Sequence, residues 1–203
     1  MTSSVIIRDI KNISNAGLAF LAYFYFDFKD TEKQDYRALL SSLLIQLSDQ
    51  SDTFCDALLS LHLVHKRGSE QATDEALKQC LKNMLIGIGR VPIYLIIDAL
   101  DECPNDSGIP SSREKVLELV KELVELRQLN LRLFITSRPE FDIRITLQPL
   151  ATQQLSHHDE SGQKQDIVDY VTFVVRSDKK MVKWRDDEKN MVIEKLTEKA
   201  DGM

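Results

Sequence analysis

Hydrophobic residues along this chain form short continuous runs that alternate with longer periodic stripes. Continuous apolar runs, which are typical of buried strands in a parallel sheet, occur at 18–26 and 93–97, and residues 131–136 predict a third strand. Apolar residues at spacings of three and four predict amphipathic helices at 4–13, 36–47, 54–65, 76–85 and 112–128. This alternation of strands and helices predicts an α/β fold with a parallel sheet.

A strand–helix–strand unit is predicted between residues 93 and 136. Because its helix carries the chain back to the starting end of the sheet, the two strands should be parallel neighbours. Residues 111–114 have the spacing of a capping box at the start of that helix, and residues 31–34 have it before the helix at 36–47. A further short apolar stretch at 143–147 predicts a fourth strand.

The hydrophobic pattern is interrupted by a polar stretch at 152–165. This interruption predicts a boundary between a core at 1–150 and a helical appendage at 151–203. Within the appendage, apolar spacings predict one helix at 167–175 and another at about 186–200.

Composition narrows the possible partners. The formal net charge is -6 and the pI is about 5.3, so no positive field would attract nucleic acid or anionic lipid. The longest apolar run falls short of the roughly 20 residues that a membrane-spanning helix needs. Cys55, Cys80 and Cys103 lack the spacing of a disulfide framework or a zinc site, which favours a reducing, cytoplasmic environment.

Charged residues follow two of the predicted strands directly. Asp98, Asp101 and Glu102 come after the strand at 93–97, and Arg138 follows the strand at 131–136. In an open parallel sheet, ligands bind at this carboxyl edge. Carboxylates bind Mg²⁺ and a guanidinium stabilises phosphate charge, a combination that suits phosphoryl transfer. An acid three or four residues beyond Asp98 could orient or deprotonate a water.

These residues resemble the motifs of a known family. The run Tyr94-Leu95-Ile96-Ile97-Asp98-Ala99-Leu100-Asp101-Glu102 resembles the extended Walker B motif of NACHT-type P-loop NTPases, and Phe134-Ile135-Thr136-Ser137-Arg138-Pro139 resembles their sensor-1 strand and arginine. Over about residues 1–150, the chain is most similar to the NACHT modules of large fungal signalling proteins of the STAND class, relatives of the NOD-like receptors.

The resemblance implies a three-layer P-loop NTPase-like fold and specific residue roles. Asp98 would be the acid associated with Mg²⁺, Asp101 and Glu102 the candidate catalytic residues that position hydrolytic water, and Arg138 the γ-phosphate sensor. It further implies ATP or GTP as the nucleotide, flanking effector and repeat domains, and action as a nucleotide-dependent oligomerisation switch in an innate-immunity-like receptor. A homo-oligomer is one assembly that it allows.

One part of the family pattern is missing, because the sequence contains no Gly-Lys dipeptide and therefore no GxxxxGK[ST] phosphate loop. Residues 2–13 resemble the helix that follows this loop, so the chain would start just after Walker A and lack its strand. Loss of the main phosphate cradle predicts that the chain alone is inactive as an NTPase. Loss of the strand predicts an uncovered edge at 131–136.

Two other functions stay open at this point. The absent phosphate loop favours a non-catalytic interaction segment that keeps the fold without nucleotide turnover. The three acids after the second strand allow a Mg²⁺-dependent hydrolase without nucleotide specificity. The choice between ATP and GTP, the signal recognised and the oligomeric state are open in every case.

Overall fold

The computed structural model describes residues 2–30, 33–65, 70–86, 89–105, 108–154, 160–178, 181 and 183–200. Its elements are, in chain order, α1 (Thr2–Asn15), β1 (Phe20–Tyr25), α2 (Tyr36–Ser48), α3 (Asp52–Val64), α4 (Asp74–Ile86), β2 (Ile93–Asp98), a 3-10 turn (Leu100–Glu102), α5 (Ser112–Glu125), β3 (Leu131–Ile135), α6 (Phe141–Leu147), α7 (Glu160–Ser177) and α8 (Asp186–Ala200). They fall into two compact units, Met1–Ala151 and Thr152–Met203.

The first unit contains a three-stranded sheet in the order β1-β2-β3. Both pairings are parallel, with Phe20 opposite Ile93 and Ile93 opposite Leu131. The predicted α/β class is therefore confirmed, and so is the predicted unit in which α5 connects two adjacent parallel strands. The strand β3 lies at one end of this order.

Helices cover both faces of the sheet, because successive strand residues point to opposite sides. On one face, Ile7 and Ile10 of α1 pack against Leu21 and Ile96. On the other face, the larger core joins β1 and β2 to α2, α3, α4 and α5, and its fully buried residues include Leu39, Leu43, Phe54, Leu81, Leu95 and Val116. The sheet is thus the middle of three layers.

The two predicted capping boxes have different outcomes. At α5, the Ser111 hydroxyl accepts the Glu114 backbone N–H at 3.1 Å, and the Glu114 carboxylate accepts the Ser111 N–H at 2.8 Å, which confirms that box. At α2, the N-cap is Asp35, whose carboxylate accepts the Ala38 N–H at 2.6 Å. The cap predicted at 31–34 is therefore wrong, and residues 31 and 32 lie outside the described residues.

The strand predicted at 143–147 is also wrong, because these residues belong to helix α6. Their alternating Ile and Leu residues suggested a period of two. In the structure, Ile143 is buried while Ile145 is 60% exposed, and Leu147 and Leu150 pack with Ile143 against the core. This spacing of four and three is helical.

The second unit contains helices α7 and α8, at the places where the sequence predicts helices. Within the part of the chain that the structure describes, no helix combines the length and apolar character that crossing a membrane requires.

Candidate functional site

The four predicted site residues lie at or just beyond the carboxyl ends of adjacent strands. Asp98 is the last residue of β2, and Asp101 and Glu102 belong to the 3-10 turn Leu100–Glu102 that comes next. Arg138 lies three residues beyond the end of β3. Since β2 and β3 are parallel, these segments share one edge of the sheet.

Asp98 is bonded across this edge to Thr136. The Thr136 hydroxyl donates to the Asp98 carboxylate, and it accepts the backbone N–H of Ala99 at 3.0 Å. The backbone ladder continues through Thr136, whose N–H donates to the Ile97 carbonyl at 3.0 Å. The end of β3 therefore fixes the orientation of the Asp98 side chain.

Two residues next to Asp98 are also unusual: Ala99 in its backbone conformation and Tyr25 in its pKa. Ala99 has φ 54° and ψ 47°, in the left-handed region that costs an L-residue roughly 1–2 kcal/mol. Tyr25 lies opposite Asp98 in the β1–β2 register. Burial raises the pKa of the Tyr25 phenol, and the Asp98 charge raises it further. The phenol therefore stays neutral and can donate a hydrogen bond at this edge.

Asp101 is held by Arg138. The Asp101 carboxylate accepts the Arg138 backbone N–H at 2.9 Å, and its second oxygen lies 3.4 Å from the Arg138 Nε. The Asp101 side chain is 10% exposed, whereas the Arg138 side chain is 83% exposed. The structure thus brings two of the predicted residues into direct contact, with the guanidinium on the solvent side.

Glu102 bonds the loop that follows β1. Its carboxylate accepts the backbone N–H of Phe28, in the loop after β1, at 3.1 Å. Through this bond the turn after β2 is tied to the β1 side, while Asp98 and Asp101 tie it to the β3 side.

A buried arginine, Arg113, bonds the backbone of the 3-10 turn and of the residue after it. Arg113, near the start of α5, donates from Nη2 to the Asp101 carbonyl at 2.7 Å and from Nε to the Cys103 carbonyl at 2.9 Å. Its Nη1 also contacts the carboxylates of Glu140 and Asp142, at the start of α6. One guanidinium therefore joins α5, the acidic turn and α6.

An open groove of about 390 Å³ lies at this edge. It is lined by Phe28, Gln34, Asp101, Glu102, Cys103, Pro104, Arg113, Arg138 and Glu140. Three of the four predicted site residues line it, and Asp98 does not. The groove carries both signs of charge, with three carboxylates, from Asp101, Glu102 and Glu140, and two guanidinium groups, from Arg113 and Arg138.

The residues present fit Mg²⁺ only as an ion shared with a ligand. Among the described residues, no three His, Cys, Asp or Glu side chains converge in a way that could hold a metal ion. Mg²⁺ usually binds one or two carboxylates, several waters and substrate phosphates. Asp98 fits that requirement, while a metal held by all three predicted acids does not match the bonds that Asp101 and Glu102 make.

Sequence reasoning missed Thr136, Arg113 and Tyr25. Thr136 could have been found, because the parallel register places the first residue after β3 opposite the last residue of β2. The position of Tyr25 at the end of β1 gives a similar signal. Arg113 gives none, since an arginine in the first turn of an amphipathic helix is usually solvated.

Taken together, the described core is an α/β protein with a three-stranded parallel sheet and a charged carboxyl edge. The chain belongs to the family described as Nephrocystin 3, N-terminal, whose family model matches residues 1–138. All four predicted site residues lie within that match. It is not a NACHT model, so the predicted NACHT identity is not confirmed. No curated protein and no solved structure matches the chain.

Proposed function

We propose that this chain is part of a nucleotide-dependent NTPase switch of the NACHT type in a larger signalling receptor. The observation that carries the proposal is the coupling of β2 to β3 at the carboxyl edge, by Asp98 with Thr136 and by Asp101 with Arg138. A polar side chain bonded to the acid at the end of the neighbouring strand would let both strand ends respond to a phosphate bound at this edge.

The proposed roles follow from exposure and bonding. Asp98 would bind Mg²⁺ together with nucleotide phosphate, and the metal would neutralise phosphate charge. Arg138 is 83% exposed, so its guanidinium can turn from Asp101 to a terminal phosphate. The Asp101 oxygen that faces the Arg138 Nε would then be released to orient water, as acids near the reacting phosphate can, and Glu102 could do so after leaving the Phe28 N–H.

Nucleotide affinity would need more than these residues. The 203 residues contain no GxxxxGK[ST] loop, and backbone N–H groups of such a loop normally form the main phosphate cradle. We therefore propose that ATP or GTP is bound by the full-length protein, with flanking effector and repeat domains that respond to it and with homo-oligomers as the assembled state. The three cysteines are thiols, which supports a cytoplasmic location.

The test is titration of the full-length protein with Mg²⁺ and fluorescent ATP or GTP. A charge-assisted hydrogen bond contributes roughly 1.5–3 kcal/mol, so Asp98→Ala and Arg138→Ala should each weaken binding by about tenfold or more. Arg132→Ala is the matched control, because Arg132 is an exposed arginine of β3 that bonds the carbonyls of Leu129 and Leu131 in its own segment. If the full-length wild-type protein binds neither nucleotide, the switch proposal fails.

A second function is favoured by a specific observation. The carboxylates of Asp101 and Glu102 are already bonded to Arg138 and to the Phe28 backbone, as expected of side chains that stabilise loops. On this reading the chain is a non-catalytic interaction segment that keeps an NTPase-like fold. It predicts that Arg138→Ala lowers stability slightly and leaves nucleotide affinity unchanged, the opposite of the first proposal.

A further inference from the structure

The strand β1 forms one edge of the sheet, and its outward backbone groups have unusual partners. The N–H of Phe20 points to the neighbouring strand and donates to the Pro92 carbonyl at 2.8 Å. Because backbone groups alternate along a parallel strand, those of Leu21 and Tyr23 point away from β2, toward the outside. Such outward groups ordinarily invite pairing with another strand.

Two glutamine side chains take these outward groups. Gln50 accepts the Leu21 N–H at 2.9 Å and donates to the Leu21 carbonyl at 2.7 Å. Gln46 accepts the Tyr23 N–H at 3.1 Å and donates to the Tyr23 carbonyl at 2.7 Å. A primary amide carries a donor and an acceptor, like a peptide group. Each side chain therefore satisfies one strand residue as a neighbouring strand would.

The spacing of the two glutamines matches the strand. Four residues of a helical turn advance about 6 Å, and two strand residues advance about 6.6 Å. Gln50 lies just beyond α2, where its N–H donates to the Leu47 carbonyl at 2.9 Å and prolongs the helical turn. The later glutamine meets the earlier strand residue, so the two amides run antiparallel to β1 and bond every outward residue from Leu21 to Tyr23.

Further bonds fix both amides in place. The Gln46 amide donates to the Ser42 hydroxyl at 2.8 Å, and the Gln50 amide donates to the Gln46 carbonyl at 2.5 Å. The Ser14 hydroxyl of α1 donates to the Gln50 oxygen at 3.0 Å. Since α1 and α2 lie on opposite faces of the sheet, Gln50 connects the two helical layers around the edge of β1.

We infer that Gln46 and Gln50 close the β1 edge at Leu21 and Tyr23 against strand addition, so that a second copy of this chain cannot extend the sheet by pairing with these residues. The inference is independent of the proposed function, because it rests only on backbone groups and amides away from the charged edge. It concerns unwanted pairing of β1 with another chain, which both an NTPase and an interaction segment would have to avoid.

The first test is residue-resolved hydrogen exchange of the wild-type chain by NMR. The amides of Leu21 and Tyr23 should be protected to within about tenfold of those of Ala22 and Phe24, which face β2. Exchange of Leu21 and Tyr23 as fast as an unstructured edge would overturn the inference. This measurement needs no substitution, so it stands even if a variant does not fold.

The second test is the double variant Gln46→Leu/Gln50→Leu. At low protein concentration, Leu21 and Tyr23 should lose about tenfold or more of their protection, while Ala22 and Phe24 keep theirs. At high concentration the mass measured by light scattering should rise, and protection of Leu21 and Tyr23 should return as a second copy pairs with β1.

The matched control is Gln79→Leu, an exposed glutamine of α4 that bonds Asn83. It adds the same apolar side chain away from β1, and it should change neither mass nor exchange of the β1 amides. Unchanged protection in the double variant would overturn the inference, and so would lost protection with the same mass as the control at every concentration.

Discussion

Replacing Arg113 with Met should strongly destabilise the unit Met1–Ala151. The Arg113 side chain is 8% exposed, and it bonds the carbonyls of Asp101 and Cys103 at 2.7 and 2.9 Å. Hydrogen bonds to a charged group contribute roughly 1.5–3 kcal/mol each. The carboxylate partners Glu140 and Asp142 are 44% and 37% exposed, so their ion pairs together add only about 0–1 kcal/mol.

The expected loss is about 2–4 kcal/mol, because water from the adjacent groove can replace part of the lost bonding. Urea unfolding of small proteins has a slope of about 1–3 kcal/mol/M, so a slope near 2 gives a midpoint lowered by about 1–2 M. The slope itself should stay unchanged. The urea midpoint of Arg113→Lys should lie between those of the wild type and Arg113→Met, because a single ammonium cannot reproduce the fork of a guanidinium.

Arg132→Met is the control, since Arg132 is exposed and its loss should cost no more than about 0.5 kcal/mol. Hydrogen exchange adds a local readout, because the Arg138 N–H that bonds Asp101 should exchange faster once Arg113 no longer holds the turn. If Arg113→Met lowers the midpoint no more than Arg132→Met does, the buried guanidinium does not support the acidic turn.

Three further perturbations have directions that the structure sets. Burial alone would raise the pKa of Glu122, but bonds from two lysines of α4 outweigh it and lower the pKa. The stabilisation of the fold by the Glu122 carboxylate is therefore present above the ordinary Glu pKa and lost as pH falls through the lowered value. In urea unfolding at stepped pH, Glu122→Gln should reduce this loss of stability at acid pH, and Glu125→Gln, at an exposed position, should not. Burial raises the pKa of Tyr36 to about 12, partly opposed by Lys78. Its stabilisation is present below about pH 10 and lost as pH rises through about 12, so Tyr36→Phe should remove the latest phase of an alkaline absorbance titration. In thermal unfolding, Ala99→Val should cost roughly 1–2 kcal/mol, while Ala99→Gly should stay within about 1 kcal/mol of wild type; equal losses would contradict strain at this position.

The sheet was predictable because β1 and β2 are nearly continuous apolar runs and β3 is rich in Leu, Phe and Ile. Residues 93–97 and 131–135 are bounded by polar or turn residues, and the helix between them carries a capping box and a broad apolar stripe. A helix that connects two neighbouring strands of one sheet makes them parallel, as β2 and β3 are. The strand prediction at 143–147 was wrong because five residues are too few to separate a period of two from one of 3.6. Its helical packing is decided by contact of Ile143 with the core.

The candidate site was predictable in position and not in bonding. Parallel strands place Asp98 and Arg138 at one edge whatever their partners are. That Asp101 pairs with Arg138, and that Glu102 bonds a backbone N–H after β1, depends on loop conformations that no local pattern specifies. The glutamines beside β1 were equally hidden, because polar residues at the boundary of an apolar helical stripe usually face water.

The two proposed functions make opposite predictions for the contact between Asp101 and Arg138. The guanidinium has one set of donors, so a phosphate and the Asp101 carboxylate compete for it. Since Arg138 is mostly exposed, its side-chain ion pair with Asp101 is worth only about 0–1 kcal/mol, and a doubly charged phosphate can displace the carboxylate at small cost. The backbone N–H of Arg138 would stay on Asp101 meanwhile, so the loop would keep its position while the side chain turned. The proposed switch would use this combination of a fixed loop and an exposed charged end, so Arg138→Ala should weaken nucleotide binding; in a segment that only maintains its fold, the same substitution should leave nucleotide affinity unchanged.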